Sequence, residues 1–281
     1  MSQVIGFIGA LGIGLVLGLL GGGGSILTVP ILTYLFEIPA ERATSYSLFI
    51  VFISSLVGCV SHFIRKNVSL KLSGVFLLPA IVGVSLSRSV ILPNIPPSYP
   101  KDKIILLVFA AVMLWAAQSM LFPNARRPIV NDTQGSTYGF PLRPAEFRFR
   151  VVQHPDGHLL LVAVLGGLAG TIMGFVGAGG GFIIVPVLVS FGKLDMHHAV
   201  GSSLFIITAS TLVGVFNDIS RGVSYDWSFL CLFAGIALVG VFTGVKLSSK
   251  ISAPNLKKAF GVLIITVSLW VLYRELLGGS N

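Results

Sequence analysis

Charged residues are scarce in this sequence. Lysine, arginine, aspartate and glutamate make up 10% of its 281 residues, whereas an ordinary soluble domain carries about 25%. Hydrophobic residues make up 54% and gather into runs of the length that a membrane-spanning helix needs, roughly 20 apolar residues. The runs do not alternate apolar and polar residues as the strands of a membrane β-barrel do. The composition therefore predicts an all-α polytopic membrane protein in contact with a lipid bilayer.

Several kinds of chemical site are also missing. The two cysteines, Cys59 and Cys231, lie inside apolar runs without metal-ligand spacing, so we expect them to be packing residues. The sequence has no Gly-Lys-Ser/Thr phosphate loop, which argues against ATP hydrolysis. An integral-membrane enzyme would need a cluster of His, Asp, Glu or Cys at membrane depth, and the runs hold none. We expect no enzyme, cofactor or metal; His197 and His198 beside Asp195 support metal binding only weakly.

The basic residues have a topological explanation. The formal net charge is +9, and its positive residues lie between apolar runs, where Lys and Arg mark cytoplasmic loops. We prefer this explanation to a nucleic-acid surface, so no nucleic-acid partner is expected. The first residues, Met1–Val4, contain no basic region, which favours a mature span over a cleaved signal peptide.

The apolar runs form two sets of four. They are Val4–Phe36, Ala43–Ile64, Leu72–Leu92 and Ile104–Phe122, then Leu159–Phe191, Ala199–Ser220, Trp227–Ser249 and Ala259–Leu277. We predict a first transmembrane repeat over residues 1–122, a hydrophilic cytoplasmic linker over 123–158 and a second transmembrane repeat over 159–281.

The two halves are similar in sequence. Residues 14–65 align with 170–221 without a gap, at a shift of 156, and 18 of the 52 aligned positions are identical. Apolar composition alone would not place glycines, prolines and arginines in register. The small-residue pair Gly14 and Gly18 recurs as Gly170 and Gly174, a spacing that lets helices approach closely. The sequence therefore predicts an internal duplication.

Loop charge predicts that the two halves are inverted. The loop after the second run is basic in the first half, with Arg65, Lys66 and Lys71, and its counterpart 218–226 is net negative. The loop after the third run has the opposite bias. In the second half this loop region carries Lys246, Lys250, Lys257 and Lys258, whereas its counterpart in the first half, Lys101-Asp102-Lys103, is only weakly positive. Inversion needs an odd number of crossings in each half, so the long first run must cross twice or fold back as a re-entrant hairpin. Both termini are then expected outside the cell.

Glycine clusters break the long first run of each half. Gly21, Gly22, Gly23, Gly24 and Ser25 are followed by Val29-Pro30, and Gly177, Gly179, Gly180 and Gly181 are followed by Val185-Pro186. Non-helical backbone at membrane depth is tolerated only inside protein or beside a wet cavity, and broken helices in corresponding positions point to a transporter's binding site. A helix that restarts there directs free N–H groups and a positive dipole end at an anion. The alternative is that the glycines only allow close helix packing.

This pattern resembles a known family. Paired glycine clusters, each followed by Val-Pro and then Ala-x-x-x-Ser-Leu-Phe, in two halves of four runs, are similar to the sulfite exporter TauE/SafE family, also called TSUP. The resemblance covers nearly the whole chain except its polar centre. It implies a transporter in the bacterial inner membrane that moves sulfite, sulfonates or related small organic anions, with coupling to protons.

Other polar residues complete the candidate site. Hydroxyls at the start of the second run of each half either contact the anion or join helices; they are Ser45, Ser47, Ser202 and Ser203. Arg88 either extends to the interface or neutralises the anion. His62 aligns with Asp218. Both are candidates for proton coupling, although their places near the ends of the runs favour solvated positions.

The sequence thus favours a secondary transporter, an exporter in the inner membrane with a small anionic substrate. A passive anion channel or uniporter that uses the same helix dipoles is the alternative. Flux with and without a proton gradient would separate the two. A homo-oligomer is left open by the sequence.

Overall fold

A computed structural model of the chain describes residues 2–20, 23–96, 98–121, 157–248 and 253–277. These residues form helices and connecting turns, with no strand in the described ranges. The α-helices are α1 (Ser2–Leu20), α2 (Thr28–Tyr34), α3 (Ala40–Ile64), α4 (Leu70–Leu86), α5 (Lys101–Leu121), α6 (Gly157–Val176), α7 (Gly181–Ser190), α8 (Met196–Ser220), α9 (Trp227–Ser248) and α10 (Ala253–Leu277). A 3₁₀ helix over Gly23–Leu27 precedes α2, and a π-helix over Ser87–Ile91 continues α4.

The described helices have the length and surface of membrane spans. Five described segments are long and apolar enough to cross a bilayer: Ala40–Ile64, Leu70–Ile91, Leu159–Val176, His198–Ser220 and Trp227–Leu247. Large apolar side chains point outward, with Leu78, Leu160 and Phe216 each about two-thirds or more exposed. A water-soluble surface rarely carries so many, whereas a lipid-facing one does. The predicted all-α polytopic membrane protein is confirmed.

The long first run folds back on itself. A Cβ added to Gly9 of α1 would lie 2.9 Å from Ile31 Cδ1, and one added to Gly6 would meet the Phe36 ring. The earlier residue of α1, Gly6, thus contacts the later residue of the second leg, Phe36, while Gly9 contacts Ile31. The two legs are therefore antiparallel. Of the two alternatives that the sequence left open, the structure has a hairpin whose second leg, α2, is only seven residues long. An α-helix rises about 1.5 Å per residue, so α2 is too short to cross a bilayer.

The helices of one half pack on those of the other. α1 packs on α9, α4 on α6, α3 on α8 and α5 on α10. In the predicted alignment α1 is equivalent to α6 and α4 to α9, so the first two pairs are the same contact made twice. In the α3–α8 pair, Gly58 faces Leu204 and Leu48 faces Gly214, so these equivalent helices run antiparallel. Inverted halves require this relation; their orientation across a membrane stays a prediction.

Glycines bring the paired helices close together, as the small-residue spacing predicted. A Cβ on Gly14 of α1 would lie 2.7 Å from the carbonyl carbon of Ala237 in α9. In the other half, a Cβ on Gly170 of α6 would lie 2.6 Å from Ala80 Cα in α4. Real side chains do not reach backbone atoms at such distances, so only glycine fits at these crossings.

Individual contacts also recur at the repeat interval. A Cβ on Gly83 would lie 2.6 Å from the Thr171 nitrogen, and one on Gly240 would lie 2.7 Å from the Leu15 nitrogen. Leu15 and Thr171 are 156 residues apart, as in the sequence alignment, and Gly83 and Gly240 are 157 apart. The third helix of each half is therefore aligned at a shift of 157, which makes Val245 the equivalent of Arg88.

One hydrogen bond recurs in the same way. The Ser69 N–H donates to Ser202 Oγ at 2.9 Å, and the Asp226 N–H donates to the Tyr46 hydroxyl at 3.0 Å. Tyr46 and Ser202 are related by 156 residues, and Ser69 and Asp226 by 157. The beginnings of the third helices are thus held by equivalent bonds to the second helices of the opposite half.

The predicted inversion has a direct test at equivalent turns. Asn67 follows α3, and Ser224 follows α8. In a chain whose Cys59 and Cys231 are replaced by alanine, we expect Asn67→Cys to resist an impermeant maleimide in intact cells and Ser224→Cys to react, because the basic turn faces the cytoplasm. Permeabilised cells serve as the control, since both cysteines should then react. Equal protection of both sites in intact cells would contradict the inversion.

Candidate functional site

The second glycine cluster breaks the helix by its backbone conformation. Gly177, Gly179 and Gly180 have φ values of 72°, 62° and 68°, in a region that residues with a Cβ rarely adopt. Helix α7 then begins at Gly181, and the Ile183 and Ile184 N–H groups both donate to the Gly180 carbonyl oxygen. These bonds leave the N–H groups of the first two α7 residues, Gly181 and Phe182, at a helix N-terminus buried within the protein, where intrahelical acceptors are lacking.

The side of these glycines that a Cβ would occupy is filled by protein. A Cβ on Gly177 would lie 2.5 Å from Thr44 Cα in α3, one on Gly179 would meet Val51, and one on Gly180 would meet Met173 of α6. Close packing therefore accounts for the missing side chains at these three positions. The backbone N–H groups at the start of α7 are the part of this segment suited to an anion.

The two glycine breaks lie together. The 3₁₀ helix that contains Gly23, Gly24 and Ser25 contacts α7, while Gly21 and Gly22 lie outside the described residues. Ser25 and Thr28 are completely buried beside this contact. Within the described chain no partner is found for Thr28 Oγ1. Nothing in the sequence marked Thr28, because its equivalent in the other half is the apolar Ile184.

The four candidate serines are buried, and two of them join elements far apart in sequence. Ser202 Oγ accepts the Ser69 N–H, and Ser203 Oγ donates to the Val200 carbonyl oxygen at 2.8 Å. Ser45 Oγ accepts a hydrogen bond from Arg88. Ser47 Oγ is completely buried with no partner among the described residues. The structure places Ser45 and Ser202 in contacts between elements far apart in sequence.

Arg88 lies inside the protein and forms a buried ion pair. Its Nη1 donates to Asp218 Oδ2 and to Ser45 Oγ, each at 3.1 Å, and neither charged side chain is more than 1% exposed. The expectation of a solvated Asp218 was therefore wrong. The ion pair joins the π-helix that continues α4 to α8, and the bond to Ser45 joins it to α3.

A π-turn and two further side chains complete the surroundings of the pair. The Leu92 N–H donates to the Ser87 carbonyl oxygen at 2.9 Å, a bond of the wider π type, and such turns are frequent at functional sites. Arg221 Nη1 donates to the Arg88 carbonyl oxygen. The Tyr225 hydroxyl lies 3.5 Å from Asp218 Oδ2. Burial raises the pKa of the Tyr225 hydroxyl, and Asp218 raises it further, so this group stays protonated and donates to the carboxylate.

His62 lies at the opposite end of the fold from Asp218. It is partly exposed near the end of α3, and a Cβ on Gly201 would lie 3.2 Å from its Cβ. The two proton-coupling candidates are thus equivalent in sequence but lie at opposite ends of the fold, and Asp218 pairs with Arg88.

Two remaining features are not sites for an anion. Asp195 caps α8 by accepting the His198 N–H at 3.3 Å, and the described residues contain no group of three metal-ligating side chains. A cavity of about 360 Å³ between α5, α6 and α7 is lined by apolar residues that include Trp115, Ile172 and Val187. It provides no polar group for a charged ligand.

Comparison with known proteins identifies the family. The family model described as sulfite exporter TauE/SafE matches residues 6–271. A probable membrane transporter protein of Xylella fastidiosa is 28% identical over 266 residues, which cover 94% of this chain and 92% of the relative. Probable membrane transporter proteins of Methanocaldococcus jannaschii and Bacillus subtilis (YdhB) are each 24% identical, over 96% and 93% of this chain and 93% and 96% of their own lengths. No solved structure gives a significant match. The helices, the paired breaks and these matches together establish a multi-pass membrane protein, as expected of an inner-membrane transporter, and the chain belongs to the sulfite exporter TauE/SafE family.

Proposed function

We propose that this membrane transporter is a secondary carrier that exports sulfite, sulfonate or related small organic anions, and that it is not an enzyme. The observation that carries the proposal is the contact between the 3₁₀ helix of the first glycine break and α7, the helix that begins at the second break. The family description of its relatives, sulfite exporter, supports the choice of anion.

The start of α7 has the properties of an anion site. Helix α7 begins after a left-handed glycine, so its first N–H groups are directed away from the helix, and the helix dipole adds partial positive charge. Such a terminus binds an anion without a charged side chain. The buried hydroxyls of Ser25 and Thr28 lie on the adjoining segment, where they would supply further hydrogen bonds to sulfite or sulfonate oxygens.

Protons are the coupling ion that the side chains suggest. Export of an anion alone from a cell that is negative inside is favoured by about 2.3 kcal/mol per charge per 100 mV, whereas a carrier that moves one proton with each monoanion transfers no net charge. His62 and Asp218 are titratable and lie near the ends of α3 and α8, so we propose them as the groups that take up protons. A passive channel would show flux indifferent to the pH gradient.

The anion site is tested at Gly181, the first residue of α7. We expect Gly181→Asp to fold, because a carboxylate favours a helix N-terminus, and to lose sulfite transport by about 100-fold or more, because its charge occupies the anion's place. Gly181→Asn has nearly the same size without the charge and is the matched control. Sulfite flux into proteoliposomes and the yield of folded protein are the measurements. Equal transport by the Asp and Asn variants would contradict a site at this terminus.

A further inference from the structure

The buried ion pair is present in only one of two equivalent places. In one of them Arg88 of the first half contacts Ser45 of the same half and Asp218 of the second half. The repeat equivalents of these three residues are Val245, Gly201 and His62, by the shifts of 157 and 156 residues established above. A Cβ on Gly201 would lie 3.2 Å from His62 Cβ. The equivalent positions hold no arginine, serine or carboxylate, so the second copy of these helices is formed without this ion pair.

The guanidinium of Arg88 has unused hydrogen-bonding capacity. Its Nη1 makes both observed bonds, while Nε and Nη2 are buried with no partner among the described residues. Asp218 Oδ1 is likewise without a partner in the described chain. Buried polar atoms are normally hydrogen-bonded, and unpaired ones are costly. A planar guanidinium whose Nε and Nη2 point the same way matches the two oxygens of a carboxylate, sulfite or sulfonate.

The charged and titratable groups around the pair come from three elements. Glu41 of α3, and Arg221 and Tyr225 after α8, act on Arg88 electrostatically in addition to Asp218. Tyr46 of α3 lies against Tyr225, with ring centroids 5.7 Å apart. Arg221 donates to the Arg88 carbonyl oxygen. Asp218 is therefore the anion in direct contact with the guanidinium, and Arg221 and Tyr225 remain beside it when that contact is broken.

We propose that Arg88 is a second anion-binding residue and that the Asp218 carboxylate competes with the anion for it. When Asp218 takes up a proton, it releases Arg88, and a sulfite or sulfonate pairs with Arg88 instead. The proton binds a carboxylate oxygen of Asp218, the carboxyl group becomes neutral, and the anion pairs with Arg88 through Nε and Nη2. One proton and one monoanion are bound together, and both leave before the ion pair forms again. This inference rests on the proposed function and specifies how its proton coupling arises. A carrier of this kind exports whenever the outward anion gradient exceeds the inward proton gradient.

Binding measurements on the full-length protein test the competition. Methanesulfonate is the probe, because its charge is constant over the pH range used, and sulfite is measured beside it. We expect the dissociation constant of the wild-type protein for methanesulfonate to increase about tenfold or more from about pH 5.5 to about pH 8, a typical coupling between sites. Asp218→Asn, which imitates the protonated carboxyl group, should bind with the tighter constant at both pH values. Glu37→Gln, which neutralises an exposed carboxylate in the same way, is the matched control and should retain the wild-type binding constants at both pH values.

The outcomes separate this inference from the proposed function. If the wild-type protein transports sulfite, but its methanesulfonate constant is the same at both pH values and in Asp218→Asn, the competition is wrong and the carrier proposal stands. If the wild-type protein neither binds nor transports either anion, both are wrong. Should Asp218→Asn not fold, Arg88→Leu/Asp218→Leu removes both charges and is expected to fold and to bind methanesulfonate with the same constant at both pH values; the wild-type pH dependence in this variant would overturn the inference. Should neither variant fold, the pH dependence of the wild-type constant decides.

Discussion

Arg88→Leu is expected to lower the free energy of unfolding by about 3–5 kcal/mol, the usual result of removing one partner from a buried ion pair. The Asp218 carboxylate would remain completely buried, with only the Tyr225 hydroxyl near its Oδ2. The double variant Arg88→Leu/Asp218→Leu should recover most of the loss, because two apolar residues in place of a buried pair are often neutral or stabilising. The measurement is denaturant unfolding in detergent, followed by tryptophan fluorescence.

The control for this experiment is an exposed cation. Arg65 lies in the turn after α3 and is exposed, so Arg65→Leu should change stability by about 0.5 kcal/mol or less. A double variant as unstable as Arg88→Leu alone would contradict the assignment, since the cost would then arise from lost packing around Arg88 rather than from an unpaired carboxylate.

Gly14→Leu is expected to disrupt the contact between α1 and α9. A Cβ at this position would lie 2.7 Å from the Ala237 carbonyl carbon and 2.9 Å from the Val241 nitrogen. These are backbone atoms, so relief requires the two helices to separate. Overpacking of side chains alone costs about 1–3 kcal/mol, occasionally more, and separation of the helices would add the loss of their close packing. The same unfolding measurement should therefore show Gly14→Leu as strongly destabilised.

The same helix provides a matched control. No described atom lies within 4 Å of a Cβ on Gly12, so Gly12→Leu changes helix propensity without steric overlap. Leucine is favoured over glycine in a helix interior by roughly 0.5–1 kcal/mol, and we expect this variant to be neutral or slightly more stable. Equal behaviour of the Gly12 and Gly14 variants would contradict the close approach of α1 and α9.

Helix positions were largely predictable because they depend on local composition. Apolar runs of sufficient length become helices in a membrane, since every backbone polar group there must be paired within its own segment. The predicted helix starts lay several residues too far along the chain where charged residues occupy the first turns of the helix. Helix α3 begins at Ala40, before Glu41 and Arg42, and α10 begins at Ala253, before Lys257 and Lys258. An apolar run ends at a charged residue, but a helix continues through it, because Glu, Arg and Lys are good helix formers.

The candidate site was predictable only in part. The positive φ values at the second break follow from glycine itself, so its irregular backbone was expected from sequence. The neighbours of Gly177 and Gly179 were not, because Thr44 and Val51 belong to the other half of the chain. The same holds for Thr28 and Tyr225. A lone threonine in an apolar run has no sequence signal that separates a buried, unpaired hydroxyl from one facing lipid, and a tyrosine in a turn has none for the carboxylate to which it donates.

The sequence by itself determined the membrane class and the family and predicted the duplication and the break before α7, because each depends on composition or on a spacing along the chain. The tertiary structure decided that α1 and α2 form a hairpin and that Asp218 is buried, with Arg88 as its partner across 130 residues. Charge and position near the end of a run indicated a solvated Asp218. The packing of α4 against α8 instead buries Asp218, because a buried carboxylate is stable where a cation is held beside it. The order of residues along the chain does not show which side chain supplies that cation.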